Sequence, residues 1–418
     1  MKRFLNNYKL TILLLIGITI GGIAGVVFGT DASVVKPFGD LFLNAMFVII
    51  VPLVFFSIAS AIANMNGMKR LGKIMISIMI VFLFTATISA LLGIAGVSIM
   101  NPLGGTDVEA LKQSMTSTTA VETMEEVSFL DKIVQTVTVS DFSMLLSKSN
   151  MLQLIIFSIL FGLATAASKE KGAPIAAFLS SGTEVMMKMV SFIMYYAPIG
   201  LGCYFASVVG DLGASILEGY ARTFILYLIL TVIYFVGFFT LYAFIAGGKL
   251  GVNVFWKNVL PPSVTAIATC SSAASIPVNL ASTKKMGVPL DIAETVIPLG
   301  ANTHKDGSVL GGVFKIVFLF TLFGKDMTSF SSILTIFAVS FLVGAVMGAI
   351  PGGGMIGEML ILSVFGFPVE ALPLIAVIST IIDAPATLLN STGNTVCAMM
   401  VTRLVEGKDW RKRTLKTA

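Results

Sequence analysis

Charge is scarce in this chain. Of 418 residues only 12% are Asp, Glu, Lys or Arg, about half the ~25% usual for a soluble domain. With a mean hydropathy of +0.95, that shortage excludes a water-soluble globular protein. There is one histidine, His304, and there are three cysteines, Cys203, Cys270 and Cys397. The cysteines stand in apolar segments at unrelated spacings, so neither a disulfide framework nor a zinc-ligand pattern follows. No resident cofactor or metal is expected. The formal charge of +5 comes from basic clusters in short loops. It marks topology in a membrane, not a nucleic-acid partner.

What the chain has in abundance is long apolar runs. The first, "LTILLLIGITIGGIAGVVFG" (10–29), matches the ~20 residues needed to cross a bilayer. It is longer than a signal-peptide core. Further runs near 40–64, 74–100, 150–167, 184–209 and 219–246 read as spans, and in lipid they should be helices. Basic clusters near the start, at 67–73, 168–173 and 247–257, and in the tail alternate with neutral or acidic stretches. The positive-inside rule puts both termini in the cytoplasm. The polar segment 101–149 reads as an outer-face excursion.

After residue 250 the pattern changes. "VLPPSVTAIATCSSAASIPVNLAS" (259–282) is rich in Ser, Thr and Ala and carries three prolines. "FLVGAVMGAIPGGGMIGEMLILSVFGFP" (341–368) has a proline and three glycines at its middle, which no regular helix tolerates. Each reads as two half-helices joined at a tip, a re-entrant hairpin. Each is followed by an apolar segment with a polar interruption: 287–322 at "NTHKDGS" and 370–405 at "DAPATLLNSTGN". Paired interrupted segments point to a secondary transporter's site at the membrane midplane.

The order "SSAASIPVN" (271–279), "PLGANTHKDGS" (298–308), "IPGGG" (350–354) and "NSTGN" (390–394) resembles the dicarboxylate/amino acid:cation symporters, prokaryotic relatives of glutamate transporters. "YYAPIGLGCYFA" (195–206) resembles that family's fifth span. The resemblance implies an all-α polytopic protein of the bacterial cytoplasmic membrane, with eight transmembrane helices and two re-entrant hairpins. It implies a homotrimer working as an elevator. Scaffold spans 1 and 2 would lie in 1–72 and spans 4 and 5 in 101–218. The transport domain would combine span 3 (73–100) with 219–418.

Candidate substrate ligands come from both hairpins and both interrupted segments. Ser271 and Ser272 add hydroxyls at the first tip; Ile350 and Gly354 flank the second. Half-helix N-termini at such tips favour an anionic group, such as an α-carboxylate. Asp383, Thr387 and Asn390 share one helical face by their spacing. A carboxylate at membrane depth costs at least ~2.5–3.5 kcal/mol unless paired, and a substrate ammonium would pair it. The resemblance assigns Asp383 that role and adds Ser308, Thr387 and Asn390 as substrate contacts. Acidic-substrate members carry an arginine where this chain has Ala386. Its loss resembles the serine/threonine transporters of the family and implies a small neutral amino acid. An organic anion or acidic amino acid, with Lys305 as its carboxylate partner, is the alternative.

The ion-site motif of the family reads Asn-Met-Asp-Gly. Here it is His304-Lys305-Asp306-Gly307. Asn394 stands where sodium-coupled members have an aspartate. Phe82 replaces a tyrosine, although Thr85 is kept. Gly300, Asn390 and Glu358 complete the candidate coupling residues. The expectation is that Lys305 supplies beside Asp306 the charge that sodium supplies elsewhere, so H+ is favoured over Na+. Lys305 as a fixed partner of Asp306 or Asp383, His304 acting only through its carbonyl, and Glu358 as proton carrier stay open. An intramembrane aspartyl enzyme built on Asp306 and Asp383 would leave the hairpins unexplained, and a channel would lack saturable flux.

Overall fold

The computed structural model describes residues 2–63, 69–100, 138–147, 150–212, 215–347, 353–408 and 410. Most of the excursion expected at 101–149, and the second hairpin tip with Ile350, lie outside the described residues. Among the described residues the fold is all helical. Four helical stretches there are long and apolar enough to cross a membrane: Ile12–Phe42, Gly72–Ile99, Ile216–Asn258 and Val369–Glu406. A bent pair, Lys169–Ile193 with Ala197–Asp211, would make a fifth.

The first part of the chain forms α1 (Lys2–Phe28), α2 (Lys36–Ala63), α3 (Lys69–Ile99), α4 (Met151–Ala167), α5 (Ala173–Met194) and α6 (Ala197–Leu212). The span expected at 184–209 is therefore two helices. Pro198 at the start of α6 has no N–H for the Met194 carbonyl four residues back, and the chain turns at Tyr195 and Tyr196. Helix α1 packs on α6, and α2 packs on α4, α5 and α6. Close approach is written in glycine. A Cβ on Gly17 would lie 2.2 Å from the Pro198 carbonyl oxygen, and one on Gly21 2.1 Å from that of Gly202.

Helix α7 (Ser215–Val232) runs through a π turn, Ile233–Phe238, into α8 (Phe239–Asn258). The basic stretch expected as a loop at 247–257 is inside α8, which kinks at Gly247 and Gly248. The segment 259–282 divides as expected into α9 (Leu260–Thr269) and α10 (Ser272–Lys285), which pack on each other. Cys270 between them takes a left-handed φ of 46°. The next segment also breaks where its polar residues stand, giving α11 (Leu290–Thr303) and α12 (Asp306–Leu322). Then come α13 (Phe330–Val346) and α14 (Gly353–Phe365), on either side of the undescribed tip.

The last segment corrects the sequence reading. No break occurs at "DAPATLLNSTGN": α15 is one helix from Leu372 to Glu406, with Pro385 inside it. A proline removes one backbone donor, and α15 packs against α3, α8, α9, α10, α11 and α12 on either side of it. Its polar side chains find partners on those neighbours, so the backbone need not open. Helix α12 is the centre of the fold: every residue in it except Thr321 is buried. A helix apolar on all sides belongs inside.

Candidate functional site

The α11–α12 break is built by local hydrogen bonding. Helix α11 ends when the His304 N–H bonds the Gly300 carbonyl at 2.9 Å and the chain turns extended. Helix α12 begins with Asp306 in its first turn, where a negative charge meets the positive end of the helix dipole. Its otherwise orphaned Ser308 N–H donates to Asn390 Oδ1 at 3.1 Å, and Asn390 Nδ2 donates back to Ser308 Oγ at 3.0 Å. Asn390 thus caps the broken helix from across the interface. The crossing is close: a Cβ on Gly307 would lie 2.4 Å from the Ala386 carbonyl oxygen. Asn279 Nδ2 donates to Ser391 Oγ at 2.8 Å and ties α10 to the same stretch of α15.

Three sets of oppositely charged side chains lie at this break or along α12, and two of them are ion pairs. In the first, Lys305 Nζ donates to Ser272 Oγ at 3.3 Å, at the α9–α10 junction. Its charge is felt by Asp383, yet no ion pair among the described residues engages either side chain. Thr387 Oγ1 donates to Asp383 Oδ1 at 3.3 Å. Ser271 spends its hydroxyl as the N-cap of α10, accepting from Ala274 N at 3.2 Å. Lys305 thus meets Ser272, and half-buried Asp383 meets Thr387 within α15. Gly354 opens α14 beside Glu358.

The second pair is His304 and Asp306. His304 Nε2 lies 3.0 Å from Asp306 Oδ1 and 2.7 Å from Thr85 Oγ1. Its Nδ1 lies 3.0 Å from Asn394 Oδ1, and the ring stacks on Phe82 at 4.2 Å. Asp306 Oδ2 accepts from the Tyr234 hydroxyl at 2.9 Å. Lys305, expected beside Asp306, points the other way, and His304 takes that place. Gly300 serves by being small: a Cβ there would lie 2.1 Å from Asn394 Oδ1.

The third pair is Lys315 and Glu358, 3.3 Å apart. Ser379 of α15 donates to the same oxygen, Glu358 Oε1. Glu358 therefore lies apart from Lys305 and Asp306 and joins α12, α14 and α15.

Sequence reasoning missed the tyrosines. Tyr227 donates to the Gly307 carbonyl at 2.8 Å and Tyr220 to that of Leu374 at 3.1 Å, while Tyr234 reaches Asp306 from the π turn. Their spacing of seven, on one face of a helix, was the available signal. Tyr242 follows at 3.2 Å from the Tyr234 hydroxyl.

Ionisable side chains gathered at a helix break, inside apolar helices of membrane-crossing length, define a membrane carrier for a small polar solute. The model of the Sodium:dicarboxylate symporter family matches residues 10–404, and the chain belongs to that family of membrane transporters. It is 30% identical to a proton/sodium-glutamate symport protein of Bacillus caldotenax, over 93% of this chain and 92% of the relative. It is 29% identical to a C4-dicarboxylate transport protein of Bacillus subtilis (strain 168), over 96% and 94%. A proton/glutamate-aspartate symporter of Escherichia coli (strain K12) is 27% identical, over 92% and 88%.

Proposed function

We propose that this protein is a proton-coupled, sodium-independent symporter of a small neutral amino acid such as serine, threonine or alanine. It would work as a homotrimeric elevator in a bacterial cytoplasmic membrane, with both termini inside. Helices α1, α2, α4, α5 and α6 would be the scaffold, and α3 with α7 to α15 the moving part. The α9–α10 and α13–α14 pairs would be its re-entrant hairpins.

One observation carries the substrate assignment. Among the described residues around α12, His304 and Asp306 face each other, as do Lys315 and Glu358, while Lys305 and the half-buried Asp383 stand in no ion pair. A zwitterion supplies what each lacks: its ammonium for Asp383, its carboxylate for Lys305 and Ser272. The names of the relatives, glutamate, glutamate-aspartate and C4-dicarboxylate transporters, favour a second reading, an acidic amino acid or a C4-dicarboxylate. Such a substrate carries a second carboxylate, and the remaining buried cations are already engaged. Ala386, which cannot donate, also argues against it.

The test is uptake and counterflow in proteoliposomes across a panel of labelled serine, threonine, alanine, glutamate and succinate. Serine-class substrates should be carried, and Asp383→Asn should abolish their uptake while the purified protein stays monodisperse. Succinate uptake without amino-acid uptake would refute the assignment. Coupling is assigned to Lys305, a buried cation in no ion pair among the described residues, since desolvated lysines exchange protons readily.

A further inference from the structure

We propose that the His304 ring, held as an imidazolium, is a built-in cation filling a site whose oxygen donors otherwise suit a hard metal ion. The inference rests on the carrier reading only in giving that site a role.

Three side-chain oxygens converge on the ring: Thr85 Oγ1, Asp306 Oδ1 and Asn394 Oδ1. A carboxylate, a hydroxyl and an amide oxygen are the donor set of a hard cation. The space between them is taken by an aromatic ring, stacked on Phe82 at an interplanar angle of 24°. No sodium ion fits there while the ring stays.

The contacts around the ring then favour its charged form. Asn394 Nδ2 donates to the Asn390 carbonyl at 2.9 Å, so it is the amide oxygen that faces the ring. His304 Nδ1 must therefore carry a hydrogen. Asp306 Oδ1 is fully buried and receives no aligned hydrogen bond. With a neutral ring, that buried carboxylate would have no positive charge beside it, although Nε2 lies 3.0 Å away, an arrangement that costs free energy in a low-dielectric interior. With a hydrogen on Nε2 the ring is a cation. It donates to Thr85 Oγ1, whose own hydrogen goes to the Phe82 carbonyl at 3.3 Å.

The other groups around the pair supply no rival cation. From the π turn and α8 come the Tyr234 and Tyr242 hydroxyls. From α15 come Asn394 and the Cys397 thiol, 3.8 Å from Nε2. From α3 come Thr85 and Phe82, and Ser89 donates to the Asp306 carbonyl at 2.6 Å. Lys305 is turned to Ser272.

The chain's single histidine makes the test direct. Full-length protein, purified through a histidine-free tag and labelled with 15N in the imidazole, reports this ring alone by NMR. Both ring nitrogens should be protonated at neutral pH, with no change when sodium chloride replaces choline chloride at equal ionic strength. A neutral ring, or a saturable response of the unmutated protein to sodium, overturns the proposal. As the converse, His304→Asn removes the ring and leaves an amide oxygen. It should gain a saturable rise in melting temperature with sodium that the parent lacks, and His304→Asn with Asp306→Asn should lose it again. A folded His304→Asn protein indifferent to sodium counts against the proposal. If that variant fails to fold, the NMR result decides alone. These measurements use ligand-free protein. A wrong substrate assignment leaves them untouched, and a neutral ring leaves the substrate assignment standing.

Discussion

Lys315 and Glu358 are nearly sealed from solvent, their side chains 3% and 1% exposed. Removing one partner of such a pair leaves an uncompensated buried charge, which costs about 3–5 kcal/mol. Glu358→Gln should therefore melt much earlier in detergent than the parent. Lys315→Met combined with Glu358→Leu should recover most of the loss, because well-packed apolar replacements of a buried pair are often neutral or better. Equal destabilisation in the single and double variants would show that packing, not charge, dominates there. At this scale the sequence made His304, Lys305, Asp306 and Glu358 stand out as ionisable groups in apolar surroundings. It did not tell which of two neighbours faces Asp306. His304 is extended at φ −117° and ψ 111°, and side chains of successive extended residues point to opposite sides. Only the position of the helix break decides that the imidazole meets Asp306 and the ammonium meets Ser272.

Among the elements, the α1–α6 contact is set by Gly17, Gly21 and Gly25, four residues apart. They lie against Pro198, Gly202 and Ala206. In lipid, helices associate through close packing of small residues. Gly21→Val places methyl groups where the Gly202 carbonyl oxygen already lies, 2.1 Å from a built Cβ. The two helices must separate, so this variant should lose a discrete monodisperse species in size-exclusion chromatography. Gly72→Ala, which meets nothing within 4 Å, should keep it. The breaks at Cys270–Ser271 and His304–Lys305 were legible from local polarity. The continuity of α15 was not, because "DAPATLLN" has the same composition as a break. What differs is that α15 is surrounded by partners. Asn390 satisfies Ser308 and Asn394 satisfies His304, so these polar side chains serve neighbouring elements instead of an opened backbone. That is information held by tertiary contacts.

Across the described molecule, buried Lys305 and Lys315, with the imidazolium proposed for His304, stand against buried Asp306 and Glu358 and half-buried Asp383. With His304 protonated as proposed, these charges balance. A zwitterionic substrate adds no net charge, so the charge moved per cycle is that of the coupling ion alone. With one proton exchanged at Lys305, one elementary charge crosses with each substrate. A potential of 100 mV is then worth about 2.3 kcal/mol, roughly a fiftyfold accumulation at equilibrium. Proteoliposomes given an inside-negative potassium diffusion potential should accumulate serine-class substrate with no sodium on either side. An inward proton gradient at zero potential should do the same, and a sodium gradient at fixed pH should do nothing. Lys305→Met should abolish the response to both driving forces and weaken substrate binding, since it removes the ammonium at Ser272. If Lys305 keeps its proton throughout, labelled substrate will still exchange, but neither potential nor pH will concentrate it. Robust sodium-driven uptake by the unmutated protein, indifferent to pH, would refute both the charge balance and the coupling assigned to it.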